Sequence, residues 1–404
     1  MSKDYYHKCV TLPSLFNNEN LLEFNIEPDK RFLVLGESYL KFHIELPETF
    51  VPDNNFANKL FQSIDLSINY EDVNFKGSSN DYDYTSFIDN RIHYNAGYLE
   101  KIKFEGHFDN LNLDSSELKQ VPKVIEHRRG ELFTKTSTVK EETITEKFYR
   151  YLLIIPINHG ICDKNKVLPA GLHVRLSFHR AKAQKAVIDI SDEIIEFPTK
   201  TIPILNPTLH LCWRYSHYLT NSMDNLRSKG MEINFESSHI RHRVLDTGLA
   251  EHNITMMQGK LPEHLVCFLM EPERFDNNFK TSSTKFRMHD LMEFSLLLDN
   301  DICEHYPLRV IEYGGSKFNH EFYKRWLEMT LNFGNSKEDI LDEKTFIHNN
   351  FMILENFDDF ENKEGNLSVK LKFSKHLTEK LYLCWIPTTV KTLHFDRNMS
   401  VFVS

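Results

Sequence analysis

The sequence predicts an all-β protein made of two β-sandwiches in tandem, with short helices confined to loops. Three observations carry that prediction. Leu367-Ser368-Val369-Lys370-Leu371-Lys372-Phe373 alternates apolar and polar residues strictly, the period of a strand with one face in a core and one in water. The same pattern, L-x-V-(K/R)-L-x-F, occurs earlier at Leu172-His173-Val174-Arg175-Leu176-Ser177-Phe178, behind Gly171, as the later copy stands behind Gly365-Asn366. Each copy is then followed by a Leu-x-Leu-Cys-Trp strand, Leu209 to Trp213 in the first half and Leu381 to Trp385 in the second. Two motifs in one order, twice, indicate a β unit used twice. The plainer alternative is that alternating strands resemble one another by chance.

Composition sets the frame. A chain of 404 residues with 41% hydrophobic and 26% charged residues has enough apolar material for two or three cores and does not read as disordered. Its 31 phenylalanines suit packed sheet faces. The net charge of −10 argues against a chain that neutralises nucleic-acid phosphate over its whole surface, while leaving room for a local basic patch. The six cysteines (Cys9, Cys162, Cys212, Cys267, Cys303, Cys384) form no C-x-x-C pair and lie mostly in apolar runs, which predicts buried free thiols in a reducing compartment. No signal-peptide core follows Met1, and Leu265 to Met270 is far short of a membrane span. A protein made and kept inside a cell is the expectation.

Taken in order, residues 1–20 read as an N-terminal arm. Residues 21–220 read as the first sandwich, with strands at Leu22–Ile26, Phe32–Leu46 and Phe61–Asn69, where Ile64, Leu66 and Ile68 share one face. A short helix is predicted over Tyr84–Tyr94. The highly charged stretch 100–145 reads as an insertion of loops and a hairpin projecting from this unit. Phe148 to Asn158 predicts a central strand ending at Pro156, and Leu209 to Tyr218 completes the unit. Residues 221–230 predict a linker helix stopped by Gly230. The second sandwich occupies 231–404, with a buried strand at Leu265–Met270, a polar loop at Glu271–Thr284, and a strand at Phe294–Asp299 resembling Ile64–Asn69. Residues 302–359 read as a loop insertion containing one amphipathic helix, Glu321–Leu331.

Catalytic signatures are missing. The chain has no G-x-S-x-G elbow, Walker loop, G-x-G-x-x-G or H-E-x-x-H. In His239-Ile240-Arg241-His242-Arg243, strand geometry puts His239, Arg241 and Arg243 on one face and His242 on the other, a poor arrangement for one metal. A solvated or interface-facing strand is the better reading. Glu126-His127-Arg128-Arg129 and His179-Arg180-Ala181-Lys182 read as surface charge, with phosphate contact the alternative. The Cys-Trp pairs read as core packing. No catalytic residue, metal, cofactor or enzymatic activity is expected.

The chain resembles the double jelly-roll, hexon-like major capsid proteins of Polinton/Maverick-type elements and adintoviruses, which are often endogenous viruses of animal genomes. In the first half the resemblance rests on Leu22–Ile26, Tyr39–Phe42, Leu60–Asn69 with Tyr82-Asp83-Tyr84 and Ile92-His93-Tyr94, and Gly171–Leu176 through Arg180–Lys182. In the second half it rests on the Gly259-Lys260-Leu261-Pro262 turn, on Gly365-Asn366-Leu367 through Phe373, and on Asp396-Arg397-Asn398. The chain departs from the family after the turn. Phe275 to Lys280 stands where relatives carry a glycine and then an Asn-Pro-Phe segment, of which Lys285-Phe286 remains.

The resemblance implies two jelly rolls side by side and a structural role: homotrimers of pseudo-hexagonal outline, tiling an icosahedral shell around double-stranded DNA. It implies contacts with further capsomers, with penton and minor capsid proteins, and at most weak contact with DNA. Localisation would be the virion capsid, after synthesis in the host cytoplasm and with nuclear assembly as one route. The insertions 100–145 and 302–359 would interlock at the top of the trimer. The residues expected to matter structurally are Gly259, Leu261, Pro262, Gly365, Asn366, Leu367, Asp396, Arg397 and Asn398. To these the repeated strands add Val174, Leu176, Phe178, Val369, Leu371 and Phe373 as core positions, with Val174, Leu176 and Phe178 expected to match Val369, Leu371 and Phe373. A soluble β-sandwich binding module, either a domesticated capsid homologue or a carbohydrate or peptide binder, is the competing reading.

Overall fold

The structure, a computed structural model, describes residues 6–73, 82–93, 106, 111–139, 142–157, 166–192, 197–215, 229–276, 278–313, 316–332, 341–357 and 364–404. The strands of the first half are β1 (Tyr6–Pro13), β2 (Phe16–Asn17), β3 (Leu21–Ile26), β4 (Phe32–Pro47), β5 (Phe50–Pro52), β6 (Phe61–Ile68), β7 (Glu71–Asp72), β8 (Glu131–Val139), β9 (Glu142–Pro156), β10 (Val174–Arg180), β11 (Val187–Asp189) and β12 (Leu205–Tyr215). Those of the second are β13 (Met231–Ser238), β14 (Arg241–Leu245), β15 (Glu251–Lys260), β16 (His264–Met270), β17 (Leu291–Leu298), β18 (Asp301–Ile302), β19 (Leu308–Arg309), β20 (Ile311–Tyr313), β21 (Ser316–Phe318), β22 (Ile353–Asn356), β23 (Glu364–Phe373), β24 (Leu381–Phe395) and β25 (Val401–Val403). The helices are α1 (Tyr82–His93), α2 (Ser115–Leu118), α3 (Pro122–Arg128), α4 (Pro272–Phe275), α5 (His320–Asn332) and α6 (Glu343–Asn349).

Strand order gives both halves the same topology. In the first, β1-β12-β4-β9-β8 forms one sheet and β2-β3-β10-β6-β7 the other. In the second, β13-β24-β16-β22 faces β15-β23-β17-β18, with β14 and β25 also paired to β24. Strand β12 therefore lies between β1 and β4, as β24 lies between β13 and β16. The repeated strand lies between β3 and β6, or between β15 and β17. Two such antiparallel sheets make a jelly roll. The fold is a double jelly roll with short helices, as the sequence predicts.

The duplication extends to the backbone. Strands β6 and β17 each end in a two-residue turn with both central residues at positive φ, Asn69-Tyr70 (49° and 70°) and Asp299-Asn300 (52° and 75°). That handedness matches strand twist and favours Asn, Asp and Gly. Each turn then clasps the repeated strand in the same way. The Asn69 amide donates to the His173 carbonyl at 2.8 Å, and the His173 amide donates back to Asn69 Oδ1 at 2.9 Å. The Asp299 amide donates to the Asn366 carbonyl at 3.0 Å, and the Asn366 amide to Asp299 Oδ1 at 2.8 Å.

Register measured from these turns corrects the sequence alignment by two residues. Ile68 pairs with Val174, whereas Leu298 pairs with Leu367. Val174, Leu176 and Phe178 thus correspond to Leu367, Val369 and Leu371, not to Val369, Leu371 and Phe373. A slip of two residues keeps every side chain on its face, so alternation alone does not reveal it. All seven side chains are buried.

Several expected boundaries change. Residues 6–13, expected in a free arm, form an edge strand paired with β12 along its whole length. Nearly all of the expected linker helix lies outside the described residues. Within 100–145, α2 and α3 pack inward, where Leu118 and Ile125 join Val51 and Ile188 in a small core. Among the described residues of this stretch, the β8–β9 hairpin is the part that projects, because β4 accompanies β9 no further than Phe148. Within 302–359, Phe322, Trp326, Met329, Phe346 and Phe351 belong to the second core, and β22 pairs with β16. This stretch is a helical layer and a sheet strand rather than a loop insertion.

The two cores also trade elements. Tyr84, Phe87, Ile88 and Ile92 of α1 join the second core, while Ile233, Phe235, Leu393, Phe395 and Val401 join the first. Division at residues 221–230 therefore separates chain segments without separating cores.

Tyr70 is 82% exposed at the first turn and stacks on His173 at 4.9 Å. Tyr70→Gly converts the turn to Asn-Gly and relieves a left-handed backbone costing about 1 kcal/mol in a non-glycine residue. A thermal midpoint raised by a few degrees is expected, and a lowered one would mean that the stacking outweighs the strain.

Candidate functional site: the seam between the two halves

The most elaborate assembly of polar side chains is buried between the jelly rolls. From the first half it takes the loop after β5, the start of α2 and the end of α3. From the second it takes the segment between α4 and β17, which runs through Ser282-Ser283-Thr284-Lys285, all buried. The polar loop expected over Glu271–Thr284 is therefore buried at its end, Ser282–Thr284, while Glu273 and Asp276 stay exposed. At that end its polar residues face polar partners across the seam instead of water.

Two carboxylates organise the site. Asp53, 1% exposed, receives Lys59 Nζ and Ser282 Oγ, the latter at 2.9 Å from both carboxylate oxygens. Lys59 also donates to Thr284 Oγ1 at 2.9 Å. Burial pushes the Lys59 ammonium below its ordinary value, and the Asp53 carboxylate opposes that shift. The second carboxylate is Asp114. Arg274 grips it with two parallel hydrogen bonds of 2.6 and 2.9 Å, the Ser282 amide donates to it at 2.9 Å, and Lys285 Nζ lies 3.3 Å away. Burial alone would raise Asp114, but Arg274, Lys285 and the Ser282 amide hold it below the usual carboxylate range. Lys285 further contacts Glu117.

Neutral groups complete the seam. Asn112 donates to Asn350 Oδ1 at 3.1 Å, and Asn54 donates to Asn112 Oδ1 at 3.3 Å. The Ser115 amide donates to the Lys280 carbonyl at 2.9 Å, and the Asp189 amide to the Phe279 carbonyl at 2.6 Å. Lys280 Nζ is 2.8 Å from the buried Asp189 carboxylate. Phe279 meanwhile packs edge-on against Phe50 of the first core. The arrangement joins the two halves, with most of its donors and acceptors spent on one another and Thr281 Oγ1 left over.

Two stretches expected as surface charge contain buried cations. Arg128, fully buried, donates to the carbonyls of Pro52 and Leu111. Arg180 donates to the Ile202 carbonyl, and burial lowers its guanidinium to about 10. The neighbouring Arg129 lies over the Tyr149 ring at 4.6 Å, and His179 pairs with Asp65 at 2.7 Å. In the His239–Arg243 stretch, Arg241 Nε donates to His239 Nε2 at 2.9 Å, while His242 packs on Phe275 and Tyr382. Among the described residues no group of three or more His, Cys, Asp or Glu is placed to hold a metal, and no helix is long and apolar enough to cross a membrane. Burial raises the Cys267 and Cys384 thiols, which suits packing rather than thiol chemistry.

The motif residues serve turns and edges. Gly259 has φ +93°, a left-handed position that glycine adopts without strain, and Leu261 and Pro262 behind it are buried. A Cβ on Gly365 would lie 2.5 Å from Leu298 Cδ1 and 3.0 Å from Asp299 Oδ2, so β23 approaches the second turn closely and a larger residue there would push those side chains aside. Asp396 Oδ1 accepts the amides of Asn398 and Ser400, both at 2.8 Å, shaping the turn from β24 to β25. Arg397 and Asn398 are exposed. The seam residues were missed in sequence because Asp53, Lys59, Asp114, Arg274 and Lys285 share no spacing. Each owes its role to a partner in another segment.

Arg274→Met leaves the Asp114 carboxylate buried without its guanidinium and is expected to cost about 3 kcal/mol, read from urea unfolding. An unchanged midpoint would show that the pair contributes nothing net. Because Asp114 titrates below its unfolded value, its contribution is complete above about pH 4 and is lost as the pH falls through its lowered value. Acid unfolding of Asp114→Asn should accordingly be shallower than that of the parent.

No family model matches the sequence, and no curated protein matches it. Solved structures do. A chain of the Sputnik virophage, determined by cryo-EM, aligns with a TM-score of 0.64 at 10% identity, over 99% of this chain and 88% of that one. The mavirus major capsid protein aligns at 0.58 with 10% identity, over 98% and 90%. The Faustovirus major capsid protein aligns at 0.54 with 8% identity, over 96% and 90%. At such identities the likeness establishes architecture: the chain has the double jelly-roll fold found in viral major capsid proteins.

Proposed function

We propose that the chain is a major capsid protein, three copies of which form a pseudo-hexagonal capsomer of an icosahedral shell around double-stranded DNA. The observation that carries this reading is one jelly-roll topology used twice and joined by a buried, hydrogen-bonded seam. Three such double units supply six near-equivalent sandwiches, and a closed ring needs the angle within each unit held fixed. Ion pairs buried at the joint favour one geometry over others even where their net stabilisation is small.

Features outside the seam agree. The β8–β9 ribbon overhangs its sheet, and a two-stranded ribbon is marginal without a surface to pack on. The β20–β21 ribbon exposes the cross-strand pair Ile311 and Phe318. In this proposal the two ribbons, rather than the whole of 100–145 and 302–359, interlock neighbouring copies. Assignment to the Polinton/Maverick and adintovirus group rests on the sequence motifs, with Gly259–Pro262, Gly365–Leu367 and Asp396–Asn398 as its turn residues. Penton and minor capsid proteins would be further partners, and the virion the place of residence. A net charge of −10 limits DNA contact to local patches.

Light scattering on the purified chain should give the mass of three chains, and negative-stain images should show a hexagonal outline. A monodisperse monomer at micromolar concentration would overturn the proposal and favour a soluble binding module.

A further inference from the structure

Helix α1 belongs to the first half by sequence, yet its Phe87, Ile88 and Ile92 belong to the second core. Thr85, Ile88, Asp89 and Ile92 recur at helical spacing and share one face. That face lines a crevice of about 30 Å³ against the second half, where Leu265 of β16, Ile386 of β24 and Glu236 of β13 lie opposite. Asp89 is the anomaly. It stands between two isoleucines in a docking face, and it makes no hydrogen bond or ion pair with another described residue.

The other titratable groups facing the crevice are Glu236, His264 of β16 and Glu355 of β22. Glu355 is already engaged, by Arg325 at 2.7 and 2.8 Å and by the Tyr306 hydroxyl at 2.7 Å. A half-buried carboxylate that lies beside Ile88, Ile92 and Leu265 and faces a second carboxylate is held more favourably when neutral. Burial, reinforced by Glu236, raises the Asp89 carboxyl to about 7.

We propose that α1 seats on the second jelly roll as a proton-coupled latch: Asp89 takes up a proton from solvent when the helix docks and releases it when the helix lifts. The sign follows from linkage. The docked carboxyl binds its proton more tightly than the free one, so docking is strongest in acid. It weakens as the pH rises above about 4, and the loss levels off above the docked value near 7. Between pH 5 and 8 the docking equilibrium should weaken roughly ten- to hundredfold. The latch joins the two halves of one chain and does not depend on the capsid reading.

Hydrogen exchange of residues 82–93, corrected for intrinsic chemical exchange, tests this between pH 5.5 and 8. The parent should open at least tenfold more at the upper end. Asp89→Asn, close in shape, should remove the dependence. Glu236→Gln should move its midpoint to lower pH, and it carries the test if the first variant fails to fold. His264→Gln should retain the dependence. A flat profile in the parent, a persistent slope in Asp89→Asn, an unmoved midpoint in Glu236→Gln, or a slope lost only in His264→Gln would each overturn the proposal.

Discussion

The molecule depends on two carboxylates taken out of water between its halves. Asp53 and Asp114 each lose hydration worth several kcal/mol, and each recovers it only if Lys59, Ser282, Arg274 and Lys285 arrive in the right places. Such a joint tolerates little angular error, because a displaced partner leaves a bare charge in a low-dielectric gap. An apolar seam of equal area would hold the halves together but would let them slide and repack. The polar seam trades adhesion for orientation.

Apolar exchange backs up that orientation. Helix α1 seals one side of the second core, and β13, β25 and the end of β24 seal one side of the first. Phe279 reaches across beside the hydrogen bonds of its own segment to meet Phe50. The charged network specifies an angle, and the exchanged side chains make departure from it expose hydrophobic surface.

What was legible in the sequence follows from what leaves a local period. The strands Ile64–Ile68, Val174–Phe178 and Leu367–Phe373 were readable because a half-buried strand writes an alternation of two. The helix α5 was readable because Phe322, Trp326 and Met329 fall on one helical face. Register between strands was not readable, since a two-residue slip leaves that alternation intact. Buried charge was least readable of all. Arg128, Arg180, Lys59 and Lys285 look in sequence like any surface cation, and only distant partners reveal them. The same applies to Ser282–Lys285, whose polar composition imitates a solvated loop. Around the seam, the family resemblance supplied the architecture and touched the network only at Lys285, without revealing its role.

The hydrogen bond from Asn69 to the Met399 carbonyl spans 330 residues of chain, and Val401 lies in the same first core. During synthesis, the first jelly roll therefore leaves the ribosome with part of its core unlidded. Nearly the whole second jelly roll must follow before β25 can close it. Contacts of such sequence separation form slowly, because loop closure costs entropy before any contact repays it. The half-built chain thus carries an open apolar flank while nearly all of its second half is made, a flank prone to aggregation until β25 closes it.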